Sequence, residues 1–155
     1  MSPREKIGFK NRLKDFAVSV LEQRIREARL SIENAQENAN QEEKSSAGDK
    51  YETSRAMSHL EKDLHSHRLS EVLKELASVH AVDTNSLYEK VTPGAFLESG
   101  AGDYFIVCGL GKQIVDGKRI IFLSPRSPLA KLLASKKSGD SFLLNGVESR
   151  INEVI

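Results

Sequence analysis

The sequence predicts an α+β protein in which a long helical hairpin precedes a small domain of short strands. No proline stands between Pro3 and Pro93, so nothing there stops a long helix. Apolar residues in that part recur every three or four positions, the spacing of a helix face. After Thr92-Pro93-Gly94 they form short runs between glycine-rich turns, which is typical of strands. We therefore expect a helical hairpin over residues 1–82 and a globular domain over residues 83–155.

Length and composition limit the classes to which the chain can belong. Its 155 residues suffice for one small domain plus an extended element. The formal net charge is +1, so the chain carries no field of the kind that coats nucleic acid. One cysteine, Cys108, excludes an internal disulfide and indicates a reducing compartment. No run of about 18 apolar residues occurs, so we expect a cytoplasmic monomer without a membrane segment.

Each predicted helix carries one narrow apolar stripe. Residues 1–12 are basic and mixed, and we expect them to fray. In the first helix the stripe has the spacing of a coiled-coil seam, through Leu21, Ile25, Ala28, Ile32, Ala35 and Ala39. In the second, residues 51–80, it shifts register as at a stutter, from Met57, Leu60 and Leu64 to Leu69, Val72, Leu76 and Val79. Because neither helix buries its stripe alone, we expect them to pair antiparallel over about 45 Å.

The turn between the helices, Gly48-Asp49-Lys50-Tyr51-Glu52, is polar and acidic. The segment from Glu33 to Glu52 contains six acidic and two basic side chains, whereas the first 14 residues contain five basic and one acidic. The negative tip, which includes Glu42 and Glu43, favours a cation or a basic partner at that end.

Two interpretations of the acid pair are compatible. Locally, Gly48 ends the first helix in the left-handed conformation, and Asp49 with Glu52 forms a capping box for the second. Functionally, the two carboxylates bind one Mg²⁺, which prefers oxygen ligands. Two acids alone bind such an ion weakly, so the remaining ligands would come from a partner into which the hairpin inserts.

The second half predicts five strands and one covering helix. The helix, residues 127–135, begins with Pro128 in its first turn, where a missing N–H is harmless. Gly109-Leu110-Gly111-Lys112 is too short for a phosphate-binding loop and is interpreted as a turn. The strands are expected at residues 95–98, 104–108, 119–123, 141–144 and 150–154.

Other chemistry-bearing residues have structural explanations. His65 and His67, two residues apart, do not share a helix face, and we expect them and His59 to be solvated or to lie at the edge of the seam and not to bind a metal. Cys108 lies in an apolar run and is expected to be a buried small hydrophobe.

Three segments carry a resemblance to a known family. The tip matches a Gly-Asp-x-x-Glu pattern, and residues 76–83 are similar to a helix-to-domain junction. The segment 123–133, Leu-Ser-Pro-Arg-Ser-Pro-Leu-Ala-Lys-Leu-Leu, followed by Lys-Lys-Ser-Gly-Asp at 136–140, is the clearest match. In these segments the chain resembles the bacterial Gre transcript-cleavage factors, which consist of an antiparallel coiled coil and a domain like that of FK506-binding proteins (FKBP-like).

The resemblance implies a function. The hairpin would enter the secondary channel of bacterial RNA polymerase when that enzyme has backtracked. Asp49 and Glu52 would then help the polymerase aspartates hold a second Mg²⁺, near the 3′ end of the nascent RNA, with at most weak contact to DNA. The polymerase itself would cut its transcript, so the protein is expected to be an accessory factor and not an enzyme. Ser127 and Pro128 would dock on the channel rim, with Glu42, Glu43, Tyr51 and Arg55 as further partner contacts.

The chain departs from the family at two places and leaves alternatives open. Thr53-Ser54-Arg55-Ala56 replaces the usual Asn-Ala-Glu-Tyr, which puts a cation close to the metal position, and Arg126 replaces a polar or acidic residue. A regulator that occupies the same channel without promoting cleavage is one alternative. A coiled-coil adaptor unrelated to polymerase is another. A prolyl isomerase is disfavoured because few aromatic residues are available to line its pocket, namely Phe96, Tyr104, Phe105, Phe122 and Phe142.

Overall fold

The computed structural model describes residues 1–44 and 48–155, with the side chains of residues 42–51 outside that description. The chain is α+β, with two long helices that pack against each other, α1 (Pro3–Lys44) and α2 (Gly48–Ala81), followed by a mixed sheet. Its contacts divide it into two compact units, one of residues 1–19 with 77–155 and one of residues 20–76. None of the described helices is long and apolar enough to span a bilayer.

The expectation that residues 1–12 fray is wrong, because α1 begins at Pro3. The Ser2 amide donates to Glu5 Oε2 at 2.8 Å, and the Glu5 amide donates to Ser2 Oγ at 3.2 Å. This reciprocal pair is a capping box, with proline at the first helical position. Its Ser-x-x-Glu signature stands in the sequence at the very start of the chain.

The sheet has six strands in the order β3-β4-β2-β1-β6-β5. All neighbouring pairs are antiparallel except β2 and β4, which run parallel. The strands are β1 (Phe96–Ser99), β2 (Gly102–Ile106), β3 (Gly111–Val115), β4 (Lys118–Leu123), β5 (Ser141–Leu144) and β6 (Val147–Val154), with α3 (Pro128–Leu133) between β4 and β5.

The predicted count of five strands is wrong by one. Gly111 and Lys112, interpreted as part of a turn, open the additional strand β3. Asp116 and Gly117 both have positive φ, 53° and 74°, and close the β3–β4 hairpin in a type I′ turn. An Asp-Gly pair is a strong signal for a β-hairpin, and a hairpin needs a strand on each side of its turn. This dipeptide was therefore the sequence signal for β3.

One face of the sheet packs against α3. Its core cluster consists of Val91, Leu97, Tyr104, Ile106, Ala130, Leu133, Phe142 and Ile151. The predicted helix at 127–135 is confirmed as α3, which contributes the buried Ala130 and Leu133. Each of these side chains loses nearly all its contact with water, so this face supplies much of the domain's hydrophobic stabilisation.

The opposite face is covered by the first turns of α1. The Phe9 ring meets Phe96 edge-on at a centroid distance of 5.0 Å, and Phe16 lies 5.7 Å from Phe122. Leu13 and Ala17, on the same helix face, are fully buried. The domain therefore has three layers, with the start of α1, the sheet and α3 in that order.

Lysines of α1 bind the end of α2 and the loop after it. Lys14 Nζ donates to the carbonyl oxygens of His80 at 3.3 Å and Val82 at 2.7 Å, which satisfies acceptors that a helix end leaves open. Lys10, which is fully buried, donates to the Ser86 carbonyl at 2.7 Å, and its Nζ lies 4.4 Å from the centroid of the Tyr88 ring. These contacts hold α1 to the end of α2 within the unit that contains the sheet.

In the unit of residues 20–76, the α1 half of the predicted seam is confirmed. Leu21, Ile25, Ala35 and Ala39 are buried, and Ala28 and Ile32 are half-buried. Lys62 of α2 donates to Gln36 Oε1 of α1 at 2.6 Å, across the two helices.

The α2 half of the seam is partly wrong. Leu69, Val72 and Leu76 are half-buried as expected, but Met57, Leu60 and Leu64 are exposed. Counting back from Leu69 by four and three leads to His65, Lys62 and Ser58, which are half-buried or buried. The seam therefore keeps one register without a stutter, and its polar residues concealed it from a search for apolar spacing.

Gly94 is the tightest backbone position of the larger unit. Its φ is +94°, and a Cβ there would lie 2.5 Å from the Asp83 carbonyl oxygen and 2.9 Å from Val82 Cγ1. We expect Gly94→Ala to lower the free energy of unfolding by about 1–3 kcal/mol, since strain and a backbone clash add. Gly100→Ala, where nothing lies within 4 Å, is the matched control and should change it by less than about 0.5 kcal/mol in urea denaturation.

Lys10 should make stability depend on pH. Burial lowers the pKa of its ammonium from 10.5 to about 8, partly offset by Asp83. Below pH 8 the Lys10 ammonium is protonated in both the folded and the unfolded state, and burying its charge destabilises the fold. Between pH 8 and 10.5 only the unfolded chain keeps this proton, so the free energy of unfolding rises with pH. The unfolding free energy of wild type relative to Lys10→Met should rise by up to about 2 kcal/mol from pH 7 to 10.

Lys131→Met, which removes the positive charge of an exposed lysine instead of a buried one, is the matched control variant. Measurements should stop at pH 10, because burial raises the pKa of Tyr88 and its titration acts in the opposite direction above that pH. If the difference in unfolding free energy between wild type and Lys10→Met does not change with pH, the ammonium of Lys10 is not desolvated.

Candidate functional site

The acid pair lies at the start of α2, with Asp49 in its first turn and Glu52 just beyond that turn. Because α1 ends at Lys44 and α2 begins at Gly48, Gly48 belongs to the second helix, and the interpretation that it ends the first is wrong. Asp49 and Glu52 are three residues apart in this helix, a spacing that places them on one face. Glu52 is exposed. The side chain of Asp49, and with it the predicted capping box, lies outside the described residues.

The chemistry of this turn suits a shared cation. The first turn of a helix favours negative charge because its amide groups point outward unpaired. Carboxylate oxygens are ligands that Mg²⁺ accepts, but two of them leave most of its six positions open. The described part of the chain contains no group of three or more His, Cys, Asp or Glu side chains that could hold a metal. A metal bound by these two acids alone would keep most of its positions for water or for ligands of another molecule.

The other residues predicted near the tip are placed only in part. Glu42 and Glu43 belong to α1 and Tyr51 to α2, and their side chains lie outside the described residues. Arg55 is exposed three residues after Glu52, on the same side of α2. A positively charged side chain thus lies within one turn of Glu52 and within two turns of Asp49.

Sequence reasoning missed an exposed apolar stripe on α2, formed by Met57, Leu60 and Leu64. Their exposed fractions are 66%, 70% and 49%. With Ser54, Ser58 and Glu61 they line an open groove of about 450 Å³. The signal that would have found the stripe is the heptad register of α2, in which Met57 and Leu64 fall one position away from the seam and Leu60 falls two positions away.

The second predicted contact, Ser127 and Pro128, has a visible structural role. Ser127 is the N-cap of α3, and its Oγ accepts a hydrogen bond from the Ala130 amide at 3.2 Å. Pro128 occupies the first helical position and is exposed, as is Arg126 in the preceding loop. Capping accounts for Ser127, while the Pro128 ring and the Arg126 guanidinium remain available to a partner.

The remaining residues considered from the sequence are the histidines of α2, Cys108 and five aromatic residues of the sheet domain. His59 and His67 are exposed, and His65 Nε2 lies 3.5 Å from Glu61 Oε1 one turn away. Cys108 is buried, which confirms its prediction as a small hydrophobe. The five aromatic residues considered for an isomerase pocket are at most 4% exposed and fill the core, namely Phe96, Tyr104, Phe105, Phe122 and Phe142.

Comparison with known proteins adds no assignment. No protein-family model matches this chain, and no curated protein is significantly similar to it. The resemblance to the Gre factors therefore depends on the sequence segments named above.

The contribution of the Ser127 cap to stability can be tested with two substitutions. Ser127→Ala should lower the free energy of unfolding by about 1 kcal/mol because the Ala130 amide loses its acceptor. Ser127→Asp keeps an acceptor at the N-cap and should unfold at nearly the wild-type urea concentration. Equal stability of Ser127→Ala and wild type would show that the cap contributes nothing measurable.

Proposed function

We propose that the protein is a transcription elongation factor that binds bacterial RNA polymerase through its secondary channel. In backtracked complexes it stimulates cleavage of the nascent transcript by the polymerase. Asp49 and Glu52 are the residues that complete the ligand set of a second Mg²⁺, which activates the attacking water. The hydrolytic active site belongs to the polymerase, and the protein is an accessory factor.

The observation that carries this proposal is the placement of the acid pair. A compact unit made only of the two packed helices, residues 20–76, bears both acids at the start of α2. A capped turn needs no unit of this length, whereas an arm that delivers carboxylates to a metal centre does. Mg²⁺ retains several open ligand positions with two carboxylates, which fits a centre shared with a partner.

The apolar stripe also supports insertion into a partner. Met57, Leu60 and Leu64 occupy successive turns of α2 shortly after Glu52 and leave about half or more of each side chain in water. Contiguous exposed apolar surface rimmed by polar residues is typical of protein interaction sites. In this proposal the wall of the polymerase channel covers the stripe when the acids reach the metal.

In the FKBP-like domain, Ser127 and Pro128 form the contact with the channel rim. The resemblance at residues 123–133 supports this assignment, and Pro128 with Arg126 offers exposed apolar and basic surface there. This second contact would set where the helical arm enters.

The test is transcript cleavage by purified polymerase in a backtracked complex. Asp49→Ala with Glu52→Ala should lower the cleavage rate at least about tenfold, since loss of groups that hold or orient a metal typically costs that much. Polymerase binding should be retained. The matched control is Asp63→Ala with Glu75→Ala, which removes two exposed acids from the same helix and should cleave like wild type.

Normal cleavage by the Asp49/Glu52 double variant would refute the catalytic assignment. Failure of the wild-type protein to bind polymerase at all would refute the proposed partner and leave the coiled-coil adaptor. Raising the Mg²⁺ concentration should partly restore the double variant, because a weaker site is refilled by mass action.

A second candidate function is supported by Arg55. Its positive charge one turn from Glu52 opposes a cation by charge repulsion and favours a phosphate instead. A protein of this kind would occupy the channel and slow initiation without shortening any transcript. The same assay distinguishes the two functions, because this regulator reduces synthesis and produces no cleavage product.

A further inference from the structure

The edge strand β3 is a second surface that the proposed function does not use. It is the last strand of the sheet order and pairs with β4 alone among the described strands. An edge strand presents backbone N–H and C=O groups that have no ladder partner on the outer side. Such a strand is a template for pairing with another extended chain.

The side chains of this edge are unusual for a protected one. Ile114, the fourth of its five residues, is 68% exposed. Proteins commonly guard an edge with lysine, and Lys112 would serve that purpose, but an exposed β-branched apolar residue does the opposite. Lys112, Gln113, Ile114 and Arg119 line an open groove of about 420 Å³ along the strand.

The cations of this groove define what it can bind. Lys112 and Ile114 are two residues apart in β3, so their side chains lie on the same face of the sheet. The register pairs Ile114 with Arg119 of β4, which places Arg119 on that face as well. Within the described part of the chain neither Lys112 nor Arg119 has an ion-pair partner. Asp116, the acid of the hairpin turn, is already paired with Arg12 at 2.8 Å.

We propose that β3 binds an extended acidic segment of a partner protein, which adds to the sheet as a further strand. An apolar side chain of that segment lies over Ile114, and a carboxylate two residues away faces Lys112, with Arg119 within reach across the strand. Backbone pairing supplies affinity, and the alternation of apolar and acidic residues supplies specificity. A five-residue strand buries little area, so the complex is transient.

Charge argues against a second copy as the occupant. Two β3 strands paired about a two-fold axis would align Lys112 and Arg119 of both copies along one groove. That arrangement collects four cations with no acid among the groove residues. Like charges in close register are destabilising, whereas an acidic strand neutralises the same groove.

A designed probe tests the proposal. The probe is a blocked, fluorescein-labelled heptapeptide in which threonines alternate with glutamate, isoleucine and glutamate. We expect saturable binding in fluorescence anisotropy that weakens as NaCl increases. The amides of residues 111–115 that point away from β4 should exchange more slowly with the probe bound, because strand addition gives them hydrogen-bond acceptors. A control probe with lysines in place of both glutamates should bind at least about tenfold more weakly, because two attractions become repulsions.

Variants of exposed residues locate the site. Lys112→Glu with Arg119→Glu should weaken binding of the acidic probe at least about tenfold. Ile114→Thr keeps strand propensity and should weaken it about threefold or more by loss of the apolar contact. The exposed Lys131→Glu on α3 is the charge control and should bind like wild type.

Four results would overturn the proposal: no binding at millimolar probe, equal binding by the β3 variants, binding without slowed exchange at residues 111–115, or a wild-type dimer that Lys112→Glu disrupts. The last would assign the edge to a second copy. All are measured without polymerase, so they are independent of the transcript-cleavage assay.

Discussion

The packing of the first turns of α1 against the sheet is the contact on which the larger unit depends. Phe9, Leu13 and Phe16 cover a face that would otherwise leave the rings of Phe96 and Phe122 in water. A domain of about 75 residues has little core to spare, so a missing layer would cost a large fraction of its stability. The same packing brings Lys14 to the carbonyl groups at the end of α2. Its positive charge there also interacts favourably with the dipole of the helix.

The two-helix unit shows how close helix packing affects what is left outside. Ala35 and Ala39 of α1 are small and buried, and the seam residue Ser58 of α2 is also small and buried. Larger side chains there would hold the helices apart. The apolar residues Met57 and Leu60 are consequently turned to the outside, next to the acid-bearing turn. Close packing and an exposed apolar stripe are therefore two results of one register.

Charge is distributed unequally between the two units. Residues 20–76 contain twelve acidic and nine basic side chains, whereas the rest of the chain contains fourteen basic and ten acidic. Part of the basic excess lies in the groove of β3, and part lies around α3 at Arg126 and Lys131. A neutral sum thus conceals an acidic arm and a basic domain, which fits partners of opposite charge at the two places.

The sequence by itself determined the α+β class, the α1 seam, the proline in the first turn of α3, and the separation of helices from strands at Pro93. These follow from local rules of periodicity and turn chemistry, which need no knowledge of a partner. Only the tertiary structure decided that residues 9–17 cover the sheet and that Ser58, and not Met57, faces α1. Apolar spacing marks which face of a helix prefers burial, but it does not say which surface buries it. In a seam between closely packed helices, size at the contact outweighs hydrophobicity, and size becomes decisive only when both helices are in place.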